Sequence, residues 1–546
     1  MKKLIIIIGG ALVFIAAGIF MYKNWRHYFI RHKVGELVFL KSDSLYNISY
    51  DDVYIDEVGG EIKIENLRLR PDTTYKKSTD STLPRQLLNV FVPLIHITGV
   101  HTDEAVLNKE IIAKKIQLTN PVVVMYPNAY AAKSKKKGKL STHELYRVIL
   151  RELERIKIDT ILLTNVDYTI QEWVKNDTIL TGNSINAHLF GLNISDSTSN
   201  DSSRVLFSEH AKLTVPLLTI RDKKGLYNFR FNDIAVNSDD RIFFVKGVYV
   251  LPLLNENTFM QAARWQTDRF SFDFSDVRFK NTDIHQLLEG NMIADSMIIA
   301  KSVFKIFRDL SYQRENKSKV GNYPHQALLR APMDVSLKNV VIQNGYIEYK
   351  EKNPKSNNSG TIHFDNVYAT IKNVTNRNND IAENNICRLD FKSSFLNRAP
   401  LNATLLMYLK NPNGWFRING RLNKTDATVF NQLTKPLALA EIESGQLNSL
   451  TFDLTGTDYR SRGTVILRYE DLKLSLLRKN RNDEYKRKSL SSFIANIAIK
   501  NENPENDEPV RKASISYERD TQRSFFNLLW KSIFVGVKES VGVKDK

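Results

Sequence analysis

The tightest group of side chains that could hold a metal ion contains His96, His101 and Asp103. Imidazole nitrogens and carboxylate oxygens are common zinc ligands, so this group is the first place to look for metal chemistry. The two histidines lie five positions apart, and on a strand an odd spacing directs side chains to opposite faces of the sheet. A turn would be needed to bring them together. The sequence therefore favours surface or turn histidines over a metal site.

Motifs that mark common enzyme sites are absent from the chain, including GxSxG, GxxxxGK[ST], GxGxxG and HExxH. The paired carboxylates at Asp51–Asp52 and Asp239–Asp240 lie in turn-like contexts, which favours solvated loops over acid–base pairs. The single cysteine, Cys387, excludes an internal disulfide and any CxxC site. We therefore predict a protein that is not an enzyme, with no catalytic residue, metal or cofactor.

The chain is basic, with 78 Lys+Arg against 60 Asp+Glu and a net charge of +18. A run of five lysines lies at 133–139, but no aromatic residue is interleaved with them as nucleic-acid binding would require. We predict no nucleic-acid partner. Two interpretations stay open for the run: a solvated loop, or contact with anionic lipid headgroups, to which lysine is attracted.

The N-terminus carries an apolar run of 19 residues without a charge, from Leu4 to Tyr22. At about 1.5 Å per residue this length matches the hydrocarbon core of a bilayer. The run is longer than the apolar part of a signal peptide and lacks a clean cleavage site, so it predicts a single-pass anchor. Trp25 and Tyr28 fit an interfacial belt. Lysines and arginines flank both ends, so charge alone assigns no orientation.

The whole chain is 42% hydrophobic and 25% charged, which is typical of a folded protein. Apolar residues alternate with polar ones in segments 60–70, 269–279 and 464–476, and alternation is the pattern of strands with one apolar face. We predict a mainly antiparallel β fold with few short helices. The apolar faces of these strands carry Phe270, Phe272 and Phe274 in one segment and Val465, Leu467 and Tyr469 in another.

Three segments have helical patterns. A capping box from Ser141 to Glu144 precedes an apolar stripe that ends at Ile156. A shorter helix is predicted around 436–443. An amphipathic helix is predicted over 524–541, with Phe526, Leu529, Trp530 and Ile533 on one side. That side has three interpretations: burial against the β body, contact with a membrane surface, or closure of the end of an apolar groove.

Two segments about 180 residues apart resemble each other. The similarity begins at Thr102-Asp103 and Thr282-Asp283 and ends at Asn165 and Asn344. The register holds through strands, a loop and a helical insert, which favours a duplication over chance similarity between strands. Stacked β repeats lengthen a continuous apolar face. We predict four divisions: an anchor at 1–30, a β-groove unit at 31–270, a repeat-related unit at 271–450 and a C-terminal segment at 451–546.

Four stretches together resemble the AsmA-like family of bacterial envelope proteins, in the form found in Bacteroidota. They are the basic tail and apolar run at 1–22, the strand–Pro–strand segment at 115–126, the alternating segment at 462–477 and the terminal segment at 525–534. Each motif is degenerate, so their order and spacing carry the resemblance.

The resemblance implies a distant relative of chorein-type, bridge-like lipid transfer proteins, with an inner-membrane anchor and a body in the periplasm. It implies an elongated, twisted antiparallel β-sheet that forms a groove with an apolar concave face. The residues then expected to face lipid acyl chains are Phe270, Phe272, Phe274, Val465, Leu467 and Tyr469.

The resemblance also implies membrane phospholipids as partners, other envelope proteins as further partners, and a role in phospholipid transport or outer-membrane homeostasis. A non-catalytic, membrane-anchored scaffold or assembly factor for envelope proteins is the alternative. The two differ physically, because a carrier needs an open apolar trough and a scaffold has a filled interior.

Overall fold

The computed structural model describes residues 45–72, 86–101, 110–127, 154–172, 175–198, 201, 203–479, 485–487, 500–505 and 508–542. Of these residues 61% are strand and 13% are helix, so the predicted mainly β fold with few short helices is confirmed. The predicted anchor at 4–22 and the lysine run at 133–139 lie outside the described residues. Within the described ranges no helix has the length and apolar character needed to cross a membrane.

Contacts within the chain divide it into two compact units: Met1–Gly247 with Asn281–Gly290, and Val248–Lys280 with Asn291–Lys546. The predicted divisions at 30/31, 270/271 and 450/451 stay predictions. The strands of the first unit are β1 (Tyr46–Ser49), β2 (Asp52–Asp56), β3 (Glu61–Pro71), β4 (Gln86–Thr98), β5 (Glu110–Thr119), β6 (Val122–Pro127), β7 (Arg155–Gln171), β8 (Thr178–Ser195), β9 (His210–Arg221) and β10 (Tyr227–Asn237).

Strand β11 (Ile242–Pro252) passes the boundary between the units. The strands of the second unit are β12 (Arg269–Lys280), β13 (Met292–Asp309), β14 (Val335–Lys352), β15 (Ser359–Thr375), β16 (Ile386–Phe395), β17 (Ala399–Tyr408), β18 (Phe416–Leu422), β19 (Thr425–Asp426), β20 (Ala440–Gly456), β21 (Arg460–Lys479), β22 (Tyr485–Arg487) and β23 (Ala513–Glu518). The α-helices are α1 (Glu256–Ala263), α2 (Ile284–Glu289), α3 (Pro324–Leu329), α4 (Asn378–Glu383), α5 (Asn431–Leu433) and α6 (Phe525–Ser540).

The strand pairing is mixed, which corrects the prediction of an antiparallel sheet. In the first unit β5 and β6 both run parallel to β7, and in the second unit β13 runs parallel to β14. The other named neighbours, such as β14–β15 and β20–β21, are antiparallel. Parallel neighbours need a long crossover connection. The connection from β13 to β14, residues 310–334, contains α3 and supplies one.

The predicted strands are present, and each changes phase at a residue in the left-handed backbone region. These residues are Asn66 in β3, Asp276 in β12 and Asp471 in β21, with φ of 51°, 52° and 53°. Asn and Asp tolerate this region better than other side chains that carry a Cβ. Such kinks shift the alternation by one residue, which explains why the apolar pattern moves from Phe274 to Val277 in β12.

The predicted helices differ in outcome. Helix α6 occupies the predicted C-terminal segment, with Ser524 as its N-cap and Val541 as its C-cap. The prediction that the helical stripe extends to Ile156 is wrong, because Ile156 lies in β7. Most of the other residues of that stripe lie outside the described residues. The helix predicted around 436–443 is also displaced: helical turns end at Ala438, and β20 begins at Ala440.

Candidate functional site

Four phenylalanines form a cluster on β12 and β13. Phe270, Phe272 and Phe274 alternate along β12, and Phe304 of β13 lies directly opposite Phe272. The ring centroids of Phe272 and Phe304 are 4.4 Å apart, and those of Phe270 and Phe272 are 6.1 Å apart. All four side chains are only partly buried. Stacked rings at these distances attract each other, so the sheet holds a continuous aromatic surface here.

Strand pairing extends this surface across the second unit. Residues directly opposite each other on paired strands point to the same face. The register therefore aligns two apolar rows, which are Phe272–Phe304–Ile347–Phe364–Phe395 and Phe270–Ile306–Tyr349–Ile362. We call these nine residues, together with Phe274, the apolar face. The first row continues from β12 to β16 and the second from β12 to β15. The one polar group in the two rows is the Tyr349 hydroxyl, which donates to the Glu351 carboxylate at 2.5 Å.

The apolar face is open at one end and closed at the other. Its members on β12 to β15 are partly buried, whereas Phe395 on β16 is 9% exposed. Phe430, in the helical turns after β19, covers Phe395 with ring centroids 5.9 Å apart. Ile362 and Phe364 on β15 pack against the core around Phe395 but stay partly exposed. The partly exposed part of the face therefore lies on β12 to β15.

The reverse side of these strands carries charged and polar residues beside the buried Phe307. Lys305, Glu348 and His363 lie opposite one another in the register. The Tyr346 hydroxyl donates to Glu348 at 2.6 Å, and burial together with this carboxylate raises the pKa of Tyr346. His363 Nδ1 lies 2.7 Å from Asp365 Oδ2. Strands β13 to β15 are therefore amphipathic, with water-facing charges behind an apolar surface.

A buried ion pair joins the ends of the strands that carry the face. Arg308, after the last apolar residues of β13, donates from Nε and Nη2 to the carboxylate of Asp268, with both bonds at 2.6 Å. Burial acts to lower the pKa of Arg308, but Asp268, Tyr349 and Glu351 together outweigh the loss of hydration and give a net rise. A bidentate pair of this kind is geometrically specific, so it fixes the start of β12 against β13.

A cleft lies on the neighbouring strands β16 to β20, with a volume of about 330 Å³. Its lining includes the row Phe391–Ala403–Gly420–Phe452 as well as polar residues of the same strands. Ala403 and Gly420 are the small members of this row. A Cβ on Gly420 would collide with the ring of Phe452, so glycine is required for this packing.

The other residues predicted to face acyl chains lie elsewhere. Val465, Leu467 and Tyr469 are 0%, 6% and 3% exposed. Gly536 of α6 packs directly on Val465, where a Cβ would collide with it. The Tyr469 hydroxyl donates to the Lys500 carbonyl at 3.0 Å. These three side chains belong to the packed interior under α6. Of the six residues predicted to face acyl chains, only Phe270, Phe272 and Phe274 lie on the apolar face.

Helix α6 splits the predicted stripe between its two sides. Phe526 and Trp530 are 63% and 43% exposed, whereas Leu529 is 8% exposed and Ile533 is half-buried. The buried anchor is Phe525, which packs with Tyr323 and Phe416 of the same unit at ring distances of 4.6 and 5.0 Å. Adjacent phenylalanines at 525 and 526 left the rotation of the helix ambiguous in the sequence.

The groups considered for metal or acid–base chemistry have ordinary partners. His96 Nε2 lies 2.7 Å from Glu61 Oε1, and Asp103 is outside the described residues. Among the residues that the structure describes, no group of three potential metal ligands is present. The Asp51 carboxylate accepts from Arg68 at 2.8 Å, which lowers the pKa of Asp51. Asp239 lies 2.6 Å from His210.

Sequence reasoning missed most of the apolar face. It selected the β12 phenylalanines but not Phe304, Ile347 or Phe364, which complete the row. A partial signal was present, because the repeat alignment matches Phe304 and Ile306 with the strand residues Val123 and Met125. Comparison with known protein families and with curated protein sequences finds no match to this chain.

Proposed function

We propose that the protein binds the acyl chains of membrane lipids on its apolar face, and that it acts as a membrane-anchored protein of the cell envelope. The observation that carries this proposal is the partly exposed aromatic row that begins with Phe272 and Phe304. The proposed biological role is phospholipid transport between membranes, or outer-membrane homeostasis. Membership of the AsmA-like family, an inner-membrane anchor and a periplasmic body are parts of the same proposal.

The physical case rests on matching chemistry. The transfer of a lipid tail from water to an apolar surface is favourable by about 0.8 kcal/mol of free energy for each CH₂ group. A binding site for such a tail therefore needs a long apolar surface and few specific contacts. Two rows of directly opposed apolar side chains provide such a surface, and each further strand extends it by about 4.8 Å. The charged reverse side keeps the same strands in contact with water.

The test is photocrosslinking of the full chain in native membranes that contain lipids with a photoactivatable acyl chain. We expect crosslinked peptides from β12 to β14. In the double variant Phe272→Ser with Phe304→Ser, we expect about tenfold less crosslinking there, because each substitution removes a large apolar contact area. The matched control is Tyr368→Ser, which removes an exposed aromatic ring of β15 outside the two rows.

The scaffold alternative gives a different result. If the folded wild-type chain carries no label on β12 to β14, the apolar face does not bind acyl chains and the proposal fails. The aromatic row would then be part of a filled interior, and the scaffold function would take its place.

A further inference from the structure

An aromatic ridge runs along the outer side of α6. It consists of Phe526, Trp530 and Phe534, which are spaced four residues apart and so lie on one side of the helix. Phe526 is 63% exposed and Trp530 is 43% exposed. The rings of Trp530 and Phe534 stack with centroids 5.6 Å apart. Phe534 is partly buried. Large aromatic rings are costly to expose, so two exposed rings beside a third point to a partner surface.

The fold fixes the ridge in its outward position. On the opposite side of α6, Phe525 packs among aromatic rings, Gly536 lies against Val465, and Ser532 hydrogen-bonds to Ser461. Rotating the helix to hide the ridge would break all three contacts. The exposure therefore follows from how α6 is packed within the second unit.

Two lysines accompany the ridge. The Nζ atoms of Lys531 and Lys538 lie 5.8 and 5.5 Å from the centroid of the Phe534 ring. These are cation–π distances, and they place both positive charges beside the aromatic rings. Two further exposed rings lie in segments that are hydrogen-bonded to residues just before α6. They are Trp265 (46% exposed) and Tyr459 (54% exposed).

Hydrogen bonds hold those two segments in place. Arg523, just before α6, donates from Nη1 to Gln266 Oε1 at 2.7 Å, next to Trp265. The Arg519 backbone N–H donates to the Tyr459 carbonyl at 2.8 Å. Two separate segments with an exposed aromatic ring are thus hydrogen-bonded to residues just before α6.

We propose that the aromatic ridge and its two lysines dock on the surface of a bilayer that contains anionic phospholipids. Tryptophan and tyrosine prefer the headgroup level of a membrane, and lysine is attracted to anionic lipids. Protein interfaces are also rich in aromatic rings, but they are depleted of lysine, so Lys531 and Lys538 favour a membrane. This contact goes beyond the binding of acyl chains on β12 to β15, and the two do not depend on each other.

The test is flotation of the full chain, held in amphipol, with vesicles of phosphatidylcholine alone or mixed with phosphatidylglycerol. We expect flotation with the mixed vesicles. In the double variant Phe526→Ser with Trp530→Ser, we expect about tenfold weaker binding, because the apolar area that enters the interface is lost. Tyr368→Ser is the control, since it removes a ring of comparable exposure elsewhere in the second unit.

Charge variants separate headgroup attraction from apolar insertion. Lys531→Gln and Lys538→Gln should each weaken binding to mixed vesicles about fivefold and leave binding to phosphatidylcholine unchanged. Equal flotation of wild type and ridge variant overturns the proposal. A wild type that is dimeric by light scattering, with a monomeric ridge variant, also overturns it by making the ridge a self-interface. Acyl-chain crosslinking on β12 to β14 should stay intact in the ridge variant, so the two proposals fail separately.

Discussion

Strands β4 to β8 in the first unit and strands β12 to β15 in the second unit have the same order, direction and register of pairing. The central strands are β5 with β6 in one repeat and β13 in the other, each followed by a parallel partner. Equivalent rows across the first three strands are Ile97–Ile116–Ile161 and Phe279–Met297–Val340. The pairing agrees with the sequence alignment of the two segments, and their origin by duplication stays a prediction.

The two repeats differ in how their apolar side chains are packed. The row equivalent to Phe272–Phe304–Ile347 is Val90–Val123–Tyr168 in the first unit. Val123 is 1% exposed and Met125 is 0% exposed, whereas Phe304 and Ile306 at the same positions of the second repeat are partly exposed. Burial raises the pKa of Tyr168 to about 12. Val90 and Tyr168 are partly buried like their counterparts, and they pack against the core of the first unit. The difference therefore lies at the central strand, where the side chains are fully buried in the first repeat and partly exposed in the second.

The largest expected effect comes from truncating the same position in both repeats. Met125→Ala should destabilise the first unit by about 2–5 kcal/mol, because it leaves a cavity in a fully buried site. Ile306→Ala should cost about 1 kcal/mol or less, since part of that side chain is already in contact with water. Urea unfolding, followed by hydrogen exchange of each unit, measures the two losses separately.

Equal losses would contradict the comparison. They would show that the second repeat is a packed core like the first, and the apolar face would lose its support as a binding surface. A larger loss at Met125 would sharpen the difference and favour an open face on β12 to β15.

The sequence predicted what depends on local pattern. Alternation located the strands at 269–279 and 464–476, and the position of helix α6 followed from its amphipathic pattern. The parallel pairing of β13 with β14 was not predictable in this way, because both directions give the same alternation. Nor could alternation distinguish Phe272 from Val465. Both alternate with polar neighbours, and only the position of α6 decides which one is covered.

The rotation of α6 shows the same limit on a smaller scale. Phe525 and Phe526 are equally apolar, and the choice of the buried one depends on Tyr323, which lies about two hundred positions earlier in the chain. Contacts between distant segments determine exposure. A single sequence contains the candidates for a docking surface but not the neighbours that cover some of them.

A medium effect is expected at the kink that the two repeats share. Asn165 in β7 and Asn344 in β14 occupy equivalent positions with φ of 55° and 47°. A β-branched residue is strained in this region, so Asn165→Val and Asn344→Val should each cost about 1–2 kcal/mol. Melting temperatures of the full chain would measure both. Glycine has no Cβ to strain, so the matched glycine variants should lose less; equal losses for valine and glycine would mean that side-chain hydrogen bonds maintain the kink.

The smallest expected effect is a pH dependence of stability that arises from His325, in the connection between the parallel strands β13 and β14. His325 of α3 is 1% exposed, and neither ring nitrogen has a hydrogen-bond partner among the described residues. Burial lowers the pKa of His325, and Asp458 only partly opposes this. The unfolded chain takes up a proton on this histidine at about pH 6.5, before the folded chain does, so stability should fall as the pH drops below that value. In His325→Phe this part of the pH dependence should vanish, and melting curves between neutral and mildly acidic pH would show it. An unchanged pH dependence would mean that other groups are responsible, and that the crossover through α3 adds no acid sensitivity to the second repeat.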